Sequence, residues 1–300
     1  MPELPDVTIY VERLNALAQG QRLESIRIGN PFVLRTYEPK PDAFNGRTLE
    51  GVSRVGKRIV LGFEGDFYAV MHLMINGRLR WRPAGAALHK KQGLAAFDFE
   101  DSTLLFTETG SKRRASLHLV AGIGALAGFD RGGVNALEIT AQAFGEALRR
   151  QNRTLKRALT DPSIVDGVGN AYSDEILHRA RLSPFKLTQS LTGDEIIALH
   201  EATVEVLTGW IERFREEVGQ GFPEKVTAFR PEMAVHGKYR QPCPVCGTPV
   251  QRIVYAQNEA NYCASCQTEG RLLKDRALSR LLREDWPKTL EELEQRTTKK

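Results

Sequence analysis

Short apolar runs separated by glycine follow one another through the first 130 residues of the chain. Upstream of them, apolar residues recur at helical spacing and predict a helix over residues 6–18, with one face formed by Val7, Tyr10, Val11, Leu14 and Leu17. Each of the later runs has the length of a β-strand, and we predict strands at Ile59–Phe63, Phe67–Met71, Ala95–Phe99 and Thr103–Phe106. This part of the chain is therefore expected to be a β-rich half with one leading helix.

The pattern changes over residues 135–218, where alanine, leucine, arginine and glutamate dominate. Helical periodicity predicts helices at 140–160, 171–181 and 192–217, with Asp194 and Glu195 suited to the first turn of the third. Glycines and prolines predict a loop over 218–234, and a further helix is predicted at Leu272–Leu282. We expect a cleft where the β-rich and helical halves meet.

The composition is that of an ordinary globular protein, because 41% of the 300 residues are hydrophobic and 26% are charged. No apolar run approaches the roughly 20 residues of a membrane helix, and the first residues lack a signal peptide pattern, so we expect a cytoplasmic protein. The net charge of +5 is mild, but basic residues cluster without acids at 149–157. Segregated charge of this kind favours a polyanionic partner, although a solvated face would give the same pattern.

All four cysteines form two closely spaced pairs, Cys243-Pro-Val-Cys246 and Cys263-Ala-Ser-Cys266. Two such pairs can supply four thiolates to a tetrahedral zinc ion at about 2.3 Å. Disulfides are the alternative, and a reducing cytoplasm disfavours them. Four protein ligands close the site, so we predict one structural zinc that stabilises a small hairpin.

The first residues offer a nucleophile. Removal of Met1 would leave Pro2 with a free secondary amine, which could attack C1′ of a deoxyribose and form an iminium ion. Glu3, beside it, could act as a general acid or base. A start of this kind is common, however, and carries little weight alone.

Two further segments could bind phosphate. Gly167-Val168-Gly169-Asn170 joins two predicted helices, and such a turn can present free N–H groups to an anion, although it could equally be an ordinary capped turn. Lys57, on a predicted hairpin, is either a phosphate contact or one more exposed lysine.

Together these features resemble the formamidopyrimidine-DNA glycosylase and endonuclease VIII family of base-excision repair enzymes, and Glu3-Leu4-Pro5 is closer to the first branch. The resemblance extends over about 270 residues. Its motifs, in order, are Met1-Pro2-Glu3-Leu4-Pro5-Asp6, Gly56-Lys57-Arg58, His72-Leu73-Met74-Ile75-Asn76-Gly77, Arg113-Arg114, Gly167-Val168-Gly169-Asn170 and the cysteine pairs introduced by His236-Gly237.

The resemblance implies an α+β multidomain fold. It comprises an N-terminal β-sandwich, a helix–two-turns–helix domain and a C-terminal zinc-finger hairpin, with DNA bound in the cleft. We place these domains at residues 1–131, 132–230 and 231–270, followed by a partly helical tail at 271–300.

The activity that the resemblance implies is that of a bifunctional DNA glycosylase/AP lyase. It would excise oxidised bases such as formamidopyrimidines or 8-oxoguanine through a Schiff base on Pro2, followed by β,δ-elimination. Glu3 matches the general acid, and Lys57 completes the expected catalytic group. The expected partner is double-stranded DNA with a damaged base or abasic site, bound by a monomer in a bacterial nucleoid.

The expected DNA-binding residues follow from the same motifs. His72 and Asn170, like Lys57, match residues that contact phosphate, Lys156 matches a lysine near the site, and Arg113 matches an intercalating residue. Two further DNA-binding positions, Ile75 and Asn258, depart from the family pattern.

The family usually has a void-filling methionine where this chain has Ile75, and a phenylalanine where it has Ala115. Asn258 replaces the arginine of the family's zinc finger. Asp6 replaces a glutamate and could still cap the first helix. Loss of the arginine's bidentate contact weakens phosphate binding. A DNA-binding relative with weak or no excision is therefore an alternative, and a zinc-ribbon interaction protein without a DNA role is another.

Overall fold

The computed structural model describes residues 1–110, 112–224, 226–255, 258–274, 287–292 and 295. The chain divides into two compact units, one formed by residues 1–131 and 208–228 and the other by 132–207 and 229–300. Most of the helix predicted at Leu272–Leu282 lies outside the described residues. The four-part division into domains stays a prediction.

The first unit contains two four-stranded antiparallel sheets, with strand orders β1-β6-β7-β5 and β2-β3-β4-β8. Their strands are β1 (Leu23–Ile28), β2 (Leu49–Val55), β3 (Arg58–Phe63), β4 (Phe67–His72), β5 (Gly77–Pro83), β6 (Gly93–Phe99), β7 (Ser102–Glu108) and β8 (Ser116–Ala121). The four predicted strands are confirmed as β3, β4, β6 and β7. The others have less continuous apolar runs, and the sequence pattern did not reveal them.

One hydrophobic core lies between these sheets, which confirms the β-sandwich. Ile59, Leu61 and Phe63 alternate along β3 and point into this core, whereas Val60 belongs to a separate cluster with Val70. The period of two is the direct result of strand geometry. The separate cluster includes Leu126 of the short helix α2 (Ile123–Ala127), so the middle of this sheet is buried on both faces.

Helix α1 (Leu4–Ala18) packs Val7, Tyr10 and Leu14 into the same core. It begins two residues before the predicted start because Glu3 acts as its N-cap. The Glu3 carboxylate accepts the Asp6 N–H, and Asp6 Oδ2 accepts the Glu3 N–H at 2.9 Å. This reciprocal capping box satisfies two backbone donors of the first turn, and it confirms that Asp6 caps the helix.

The second unit contains α3 (Ala141–Arg149), α4 (Leu155–Thr160), α5 (Asn170–Arg179) and most of α6 (Gly193–Val218). The prediction of one helix over 140–160 is wrong in its middle, because the chain leaves the helix between α3 and α4. There Thr154 forms a β-bridge with Leu187, and the Arg153 N–H donates to Thr188 Oγ1 at 3.1 Å. These bonds to a distant segment replace the helical ones, and periodicity could not reveal them.

The cysteine module follows as an antiparallel hairpin of β9 (Gln251–Tyr255) and β10 (Asn258–Tyr262), then α7 (Ala264–Thr268). Its helical and hairpin parts agree with the fold class implied by the sequence. Within the described residues, no helix combines the length and the apolar character that crossing a lipid bilayer requires.

Asp98 on β6 is a buried charge in the sandwich. Its carboxylate accepts two bonds from the Arg27 guanidinium, at 2.6 and 2.8 Å, and one from Thr103 Oγ1 at 2.8 Å. Burial raises the pKa of Asp98, but these hydrogen bonds outweigh it and hold the pKa below the ordinary value of 3.8. The ionised form is therefore the one that stabilises the fold.

We expect Asp98→Asn to lower the free energy of unfolding by about 2 kcal/mol at neutral pH. The effect is smaller than for a fully buried pair because 39% of the Arg27 side chain is exposed, and solvent screens its charge. A depressed pKa gives stability above the unfolded-state value that is lost as the pH falls through the folded one. Urea titrations should therefore show the difference shrinking below pH 3.8, and a similar loss for the exposed Asp101→Asn would contradict this.

Candidate active site and zinc centre

The start of the chain is buried in the first unit, with Pro2 and Glu3 almost inaccessible to solvent. The capping box fixes the Glu3 carboxylate at the N-terminus of α1, where backbone N–H groups and the helix dipole favour a negative charge. The predicted nucleophile Pro2 and the carboxyl group of Glu3 therefore lie directly before a rigid helix.

Burial also changes the acidity of the amino terminus. The pKa of the Met1 amino group lies below its ordinary value of 8.0, because burial disfavours the charged form and the positive charges of Lys57 and Arg78 add to this effect. The negative charges of Glu3 and Asp6 oppose it only in part. An amine in this position loses its proton more readily than an exposed one and so becomes nucleophilic at lower pH.

Lys57 and His72 lie at the same end of one sheet. Lys57 follows Gly56, which takes a φ of +62° in the turn between β2 and β3, and His72 ends β4 directly opposite Arg58. Burial, together with the positive charges of Arg58 and Lys57, lowers the pKa of His72 to about 4. At neutral pH His72 is thus uncharged and can offer a phosphate a hydrogen bond but no positive charge.

Ile75 occupies the tip of the turn between β4 and β5, and the side chain is 55% exposed. The turn is tight, since the Gly77 N–H donates to the Leu73 carbonyl at 2.8 Å and Met74 takes a φ of +53°. A Cβ atom at position 77 would lie 2.2 Å from the Leu73 carbonyl oxygen, so only glycine fits there.

Arg113 is exposed on the loop between β7 and β8, where its guanidinium donates to the Lys91 carbonyl. The loop is anchored by Glu108, whose buried carboxylate accepts the N–H groups of Arg114 and Ala115 at 2.9 and 3.2 Å. Ala115 is buried. No motif of the sequence singled out Glu108, because its partners are backbone atoms.

In the second unit, Gly167-Val168-Gly169 leads directly into α5, for which Gly169 is the N-cap and Asn170 the first helical residue. Gly167 takes a φ of +76°, which favours glycine. The glycine turn and the helix start that the sequence predicted are therefore both present, with Asn170 partly exposed, and their phosphate-binding role stays a prediction.

Lys156 is placed differently from an exposed DNA contact. Only 3% of its side chain is accessible, and Nζ donates to the Asn170 carbonyl and to Asp174 Oδ1, both at 2.6 Å. Asp174 Oδ2 in turn bonds His236 Nδ1 at 2.8 Å and accepts from Asn261 Nδ2 at 3.2 Å. The direct DNA contact expected of Lys156 stays a prediction, and its ammonium is committed to this network.

The neighbouring Glu175 anchors the segment that leads into the cysteine module. Its buried carboxylate accepts the N–H groups of Ala234, Val235 and His236 at 2.7, 2.9 and 2.8 Å. Burial raises the pKa of Glu175 even though these bonds act in the opposite direction. The sequence motif ended at Asn170 and gave no sign of the two carboxylates that follow it on α5.

The four cysteine sulfurs form the geometry of a metal site. All lie within 4.8 Å of one another, with Cys243 to Cys266 at 4.0 Å and Cys246 to Cys263 at 3.4 Å. A tetrahedral zinc with bonds of about 2.3 Å requires sulfurs about 3.8 Å apart, so the four thiolates fit such an ion. Zinc would supply structural cross-linking there and no open coordination position.

His178 of α5 lies next to this centre, with Nε2 3.3 Å from Cys243 Sγ. Burial and the charge of Arg181 lower the pKa of His178, so the neutral imidazole can donate its N–H to the sulfur. Hydrogen bonds of this kind orient metal ligands from outside the coordination sphere. Asn258, the remaining predicted DNA contact, is the first residue of β10.

Three family models match the chain in order. One is described as the formamidopyrimidine-DNA glycosylase N-terminal domain and matches residues 1–114. The second, the formamidopyrimidine-DNA glycosylase H2TH domain, matches residues 134–219, and the third, a zinc finger found in FPG and IleRS, matches residues 240–268. The last match and the sulfur geometry together confirm one structural zinc ion.

Full-length relatives give the same picture. The chain is 32% identical over 279 residues to a formamidopyrimidine-DNA glycosylase of Desulforamulus reducens, which covers 89% of this chain and 99% of the relative. A Thermus thermophilus formamidopyrimidine-DNA glycosylase is 33% identical over 290 residues, covering 90% and 100%. A solved complex between Lactococcus lactis Fpg and DNA containing an abasic site aligns with a TM-score of 0.78 at 26% identity, covering 89% of this chain and 99% of that one.

We expect Cys246→Ser to lose the zinc and with it the fold of the cysteine module. Structural zinc contributes about 10–16 kcal/mol of apparent binding free energy to such hairpins, which are otherwise too small to fold. Atomic absorption should give one zinc per chain for the wild type and little for the variant, and limited proteolysis should cut the variant within residues 240–268.

The matched control is Ser265→Ala, which changes a residue between two ligands but removes only a hydrogen bond to Thr248. It should retain the metal. A Cys246→Ser protein with full zinc and unchanged resistance to protease would show that this cysteine is no ligand.

Proposed function

Because the chain belongs to the formamidopyrimidine-DNA glycosylase family, we propose that it is a DNA glycosylase for oxidised bases that also cleaves the DNA strand as an AP lyase. The family membership confirms the resemblance drawn from the motifs. The proposed partner is duplex DNA carrying a damaged base or an abasic site, bound by a monomer in a bacterial nucleoid.

The observation that carries the lyase proposal is the position of the amino terminus. Pro2 is buried immediately before α1, next to the Glu3 carboxylate that the capping box holds. The lowered pKa of the Met1 amino group supports an amine in this segment that gives up its proton more readily than an exposed one. Removal of Met1 would give this environment to the imino nitrogen of Pro2.

In the proposed reaction, the lone pair of the Pro2 nitrogen attacks C1′ of the damaged nucleotide, and the bond from C1′ to the base breaks. The base departs with the bonding electrons and takes up a proton. The attack leaves a proton on the Pro2 nitrogen, which passes to the Glu3 carboxylate. Glu3 then gives this proton to the sugar ring oxygen as the ring opens, which leaves an iminium ion between C1′ and Pro2. A secondary amine gives a permanently charged iminium, which is an effective electron sink.

Strand cleavage follows from the same intermediate. Loss of a proton from C2′ breaks the bond from C3′ to its phosphate oxygen, and loss of a proton from C4′ then breaks the bond from C5′ to the other phosphate oxygen. Hydrolysis of the iminium returns Pro2 as a free amine. Lys57, whose positive charge acts on the amino terminus, is the proposed third member of the catalytic group.

Other expected contacts divide into phosphate binding and stacking. We propose that Asn170 at the start of α5 and the uncharged His72 bind phosphate through hydrogen bonds. The exposed Ile75 and Arg113 are the proposed residues that enter the base stack when a nucleotide is extruded. Such insertion offsets the few kcal/mol that base flipping costs.

The asparagine at position 258 favours a second candidate function, that of a family relative that binds damaged DNA without excising the base. Asparagine has no positive charge and cannot form the bidentate, charge-assisted contact of an arginine with phosphate. If the loss of this phosphate contact prevents excision, the protein only binds damaged DNA. Covalent trapping separates the two candidates, because only a reacting amine leaves a bond to DNA.

We expect Pro2→Gly to abolish borohydride trapping on abasic duplex DNA while changing the dissociation constant by less than about tenfold. The substitution replaces the secondary amine, but removes few contacts to the duplex. Gel analysis of trapped adducts and fluorescence anisotropy measure the two quantities separately.

Pro5→Ala is the control, since it removes a nearby proline but leaves the amino terminus intact, and it should still trap. Intact mass of the purified wild type should correspond to a chain that starts at Pro2. A retained Met1, or equal trapping by wild type and Pro2→Gly, would refute the assignment of the nucleophile.

In this proposal the Pro2 nitrogen takes over the buried position of the Met1 amino group once Met1 is removed. The trapping rate at saturating abasic DNA should therefore rise with pH and level off below pH 8.0, the ordinary value for an amino terminus. The sign follows from the lowered pKa, because the proton leaves and the nucleophile becomes available at a lower pH than in an exposed amine. Binding measured over the same pH range controls for changes in affinity. A midpoint above 8.0 would mean that burial does not control this amine.

A further inference from the structure

The second unit contains a buried ion pair that the proposed reaction does not use. Lys156 on α4 and Asp174 on α5 are 3% and 0% exposed, and their charged atoms lie 2.6 Å apart. Burying two charges costs several kcal/mol of desolvation each, and a pair of this kind persists only with close geometry and additional hydrogen bonds. The groups that hydrogen-bond to this ion pair therefore indicate which part of the chain the pair holds in place.

The additional bonds converge on the start of α5. Lys156 Nζ donates to the Asn170 carbonyl at 2.6 Å, so the ammonium joins Asp174 to the first residue of the helix. On the other side, His236 and Asn261 bind Asp174 Oδ2. Asp174 is thus fixed by Asn261 of the cysteine module and by His236 of the segment that leads into it, and Lys156 is fixed by Asp174.

We infer that Lys156 and Asp174 are positioning residues that hold Asn170 and the preceding glycine turn in the conformation that receives a DNA phosphate. This inference rests on the proposed function. Lys156 acts through the Asn170 backbone and makes no phosphate contact of its own. The contribution of Lys156 to DNA affinity is then one of geometry rather than charge.

The dependence of affinity on salt distinguishes these two roles. Each phosphate neutralised by a lysine contributes about 0.9 to the slope of log K against log salt concentration. If Lys156 contacted phosphate directly, its loss would reduce this slope by about that amount. If it positions Asn170, the affinity falls while the slope stays the same.

The test uses the double variant Lys156→Met/Asp174→Asn. Removing both charges together avoids a buried unpaired charge, which would destabilise the fold by itself. The asparagine can still accept hydrogen bonds from His236 and Asn261. We expect one zinc per chain, a melting temperature close to the wild type, and a roughly tenfold loss of affinity for abasic duplex DNA at unchanged salt slope.

Lys186→Met/Glu195→Gln is the matched control. It removes another lysine–carboxylate pair of the same unit, in which both side chains are about a quarter exposed, and it should bind DNA as the wild type does. Unchanged affinity in Lys156→Met/Asp174→Asn would overturn the inference, since the pair would then be purely structural. A slope reduced by about 0.9 would overturn it in favour of a direct contact.

Hydrogen exchange measured in the absence of DNA tests the positioning role without relying on the proposed activity. We expect faster exchange of the amides of residues 169–173 in the double variant than in wild type and control, because the tether to the Asn170 carbonyl is lost. A wild-type protein that fails to bind DNA would contradict the proposed function. Unchanged exchange in this segment would contradict the positioning role.

Discussion

A carboxylate removed from water must have its oxygens hydrogen-bonded, and in each unit the segments that carry the candidate residues are organised by this constraint. Asp6 accepts the Glu3 N–H at the start of α1, and Glu108 holds the loop that carries Arg113. Glu175 accepts three consecutive N–H groups at residues 234–236, and Asp174 accepts from a lysine and an asparagine and bonds a histidine. Three of these acids, Asp6, Glu108 and Glu175, hold backbone N–H groups, and Asp174 holds side chains from three other segments.

The sequence could predict those parts of the molecule whose contacts are local along the chain. Two close cysteine pairs predict a metal site because the ligand chemistry is local and four-coordinate, and the sulfurs do come together. Strands β3 and β4 were visible because they are buried on both faces and read as continuous apolar runs. The sequence did not predict the first residue of α1, because the helix start depends on Glu3 as the N-cap. A glutamate is only a weak sequence signal for an N-cap.

The remainder depends on partners that are distant in sequence. His236 lies 62 residues from Asp174, and the break between α3 and α4 results from bonds to residues 187 and 188. The lowered pKa of His72 likewise follows from burial and from an arginine on the adjacent strand. Motif matching identified His72 and Lys156 as positions of interest, but it could not show that one is uncharged and the other buried.

The turn that carries Ile75 has a consequence for the extrusion of a nucleotide. Its backbone is held by the hydrogen bond between Gly77 and Leu73, and Met74 takes a left-handed conformation, so the apolar tip lies on a hydrogen-bonded turn. Ordering a flexible loop costs about 1–2 kcal/mol of conformational entropy per residue. If Ile75 enters the base stack as proposed, a turn that is already hydrogen-bonded avoids most of this loss, and more of the contact energy between Ile75 and the neighbouring bases remains available to hold the helix open.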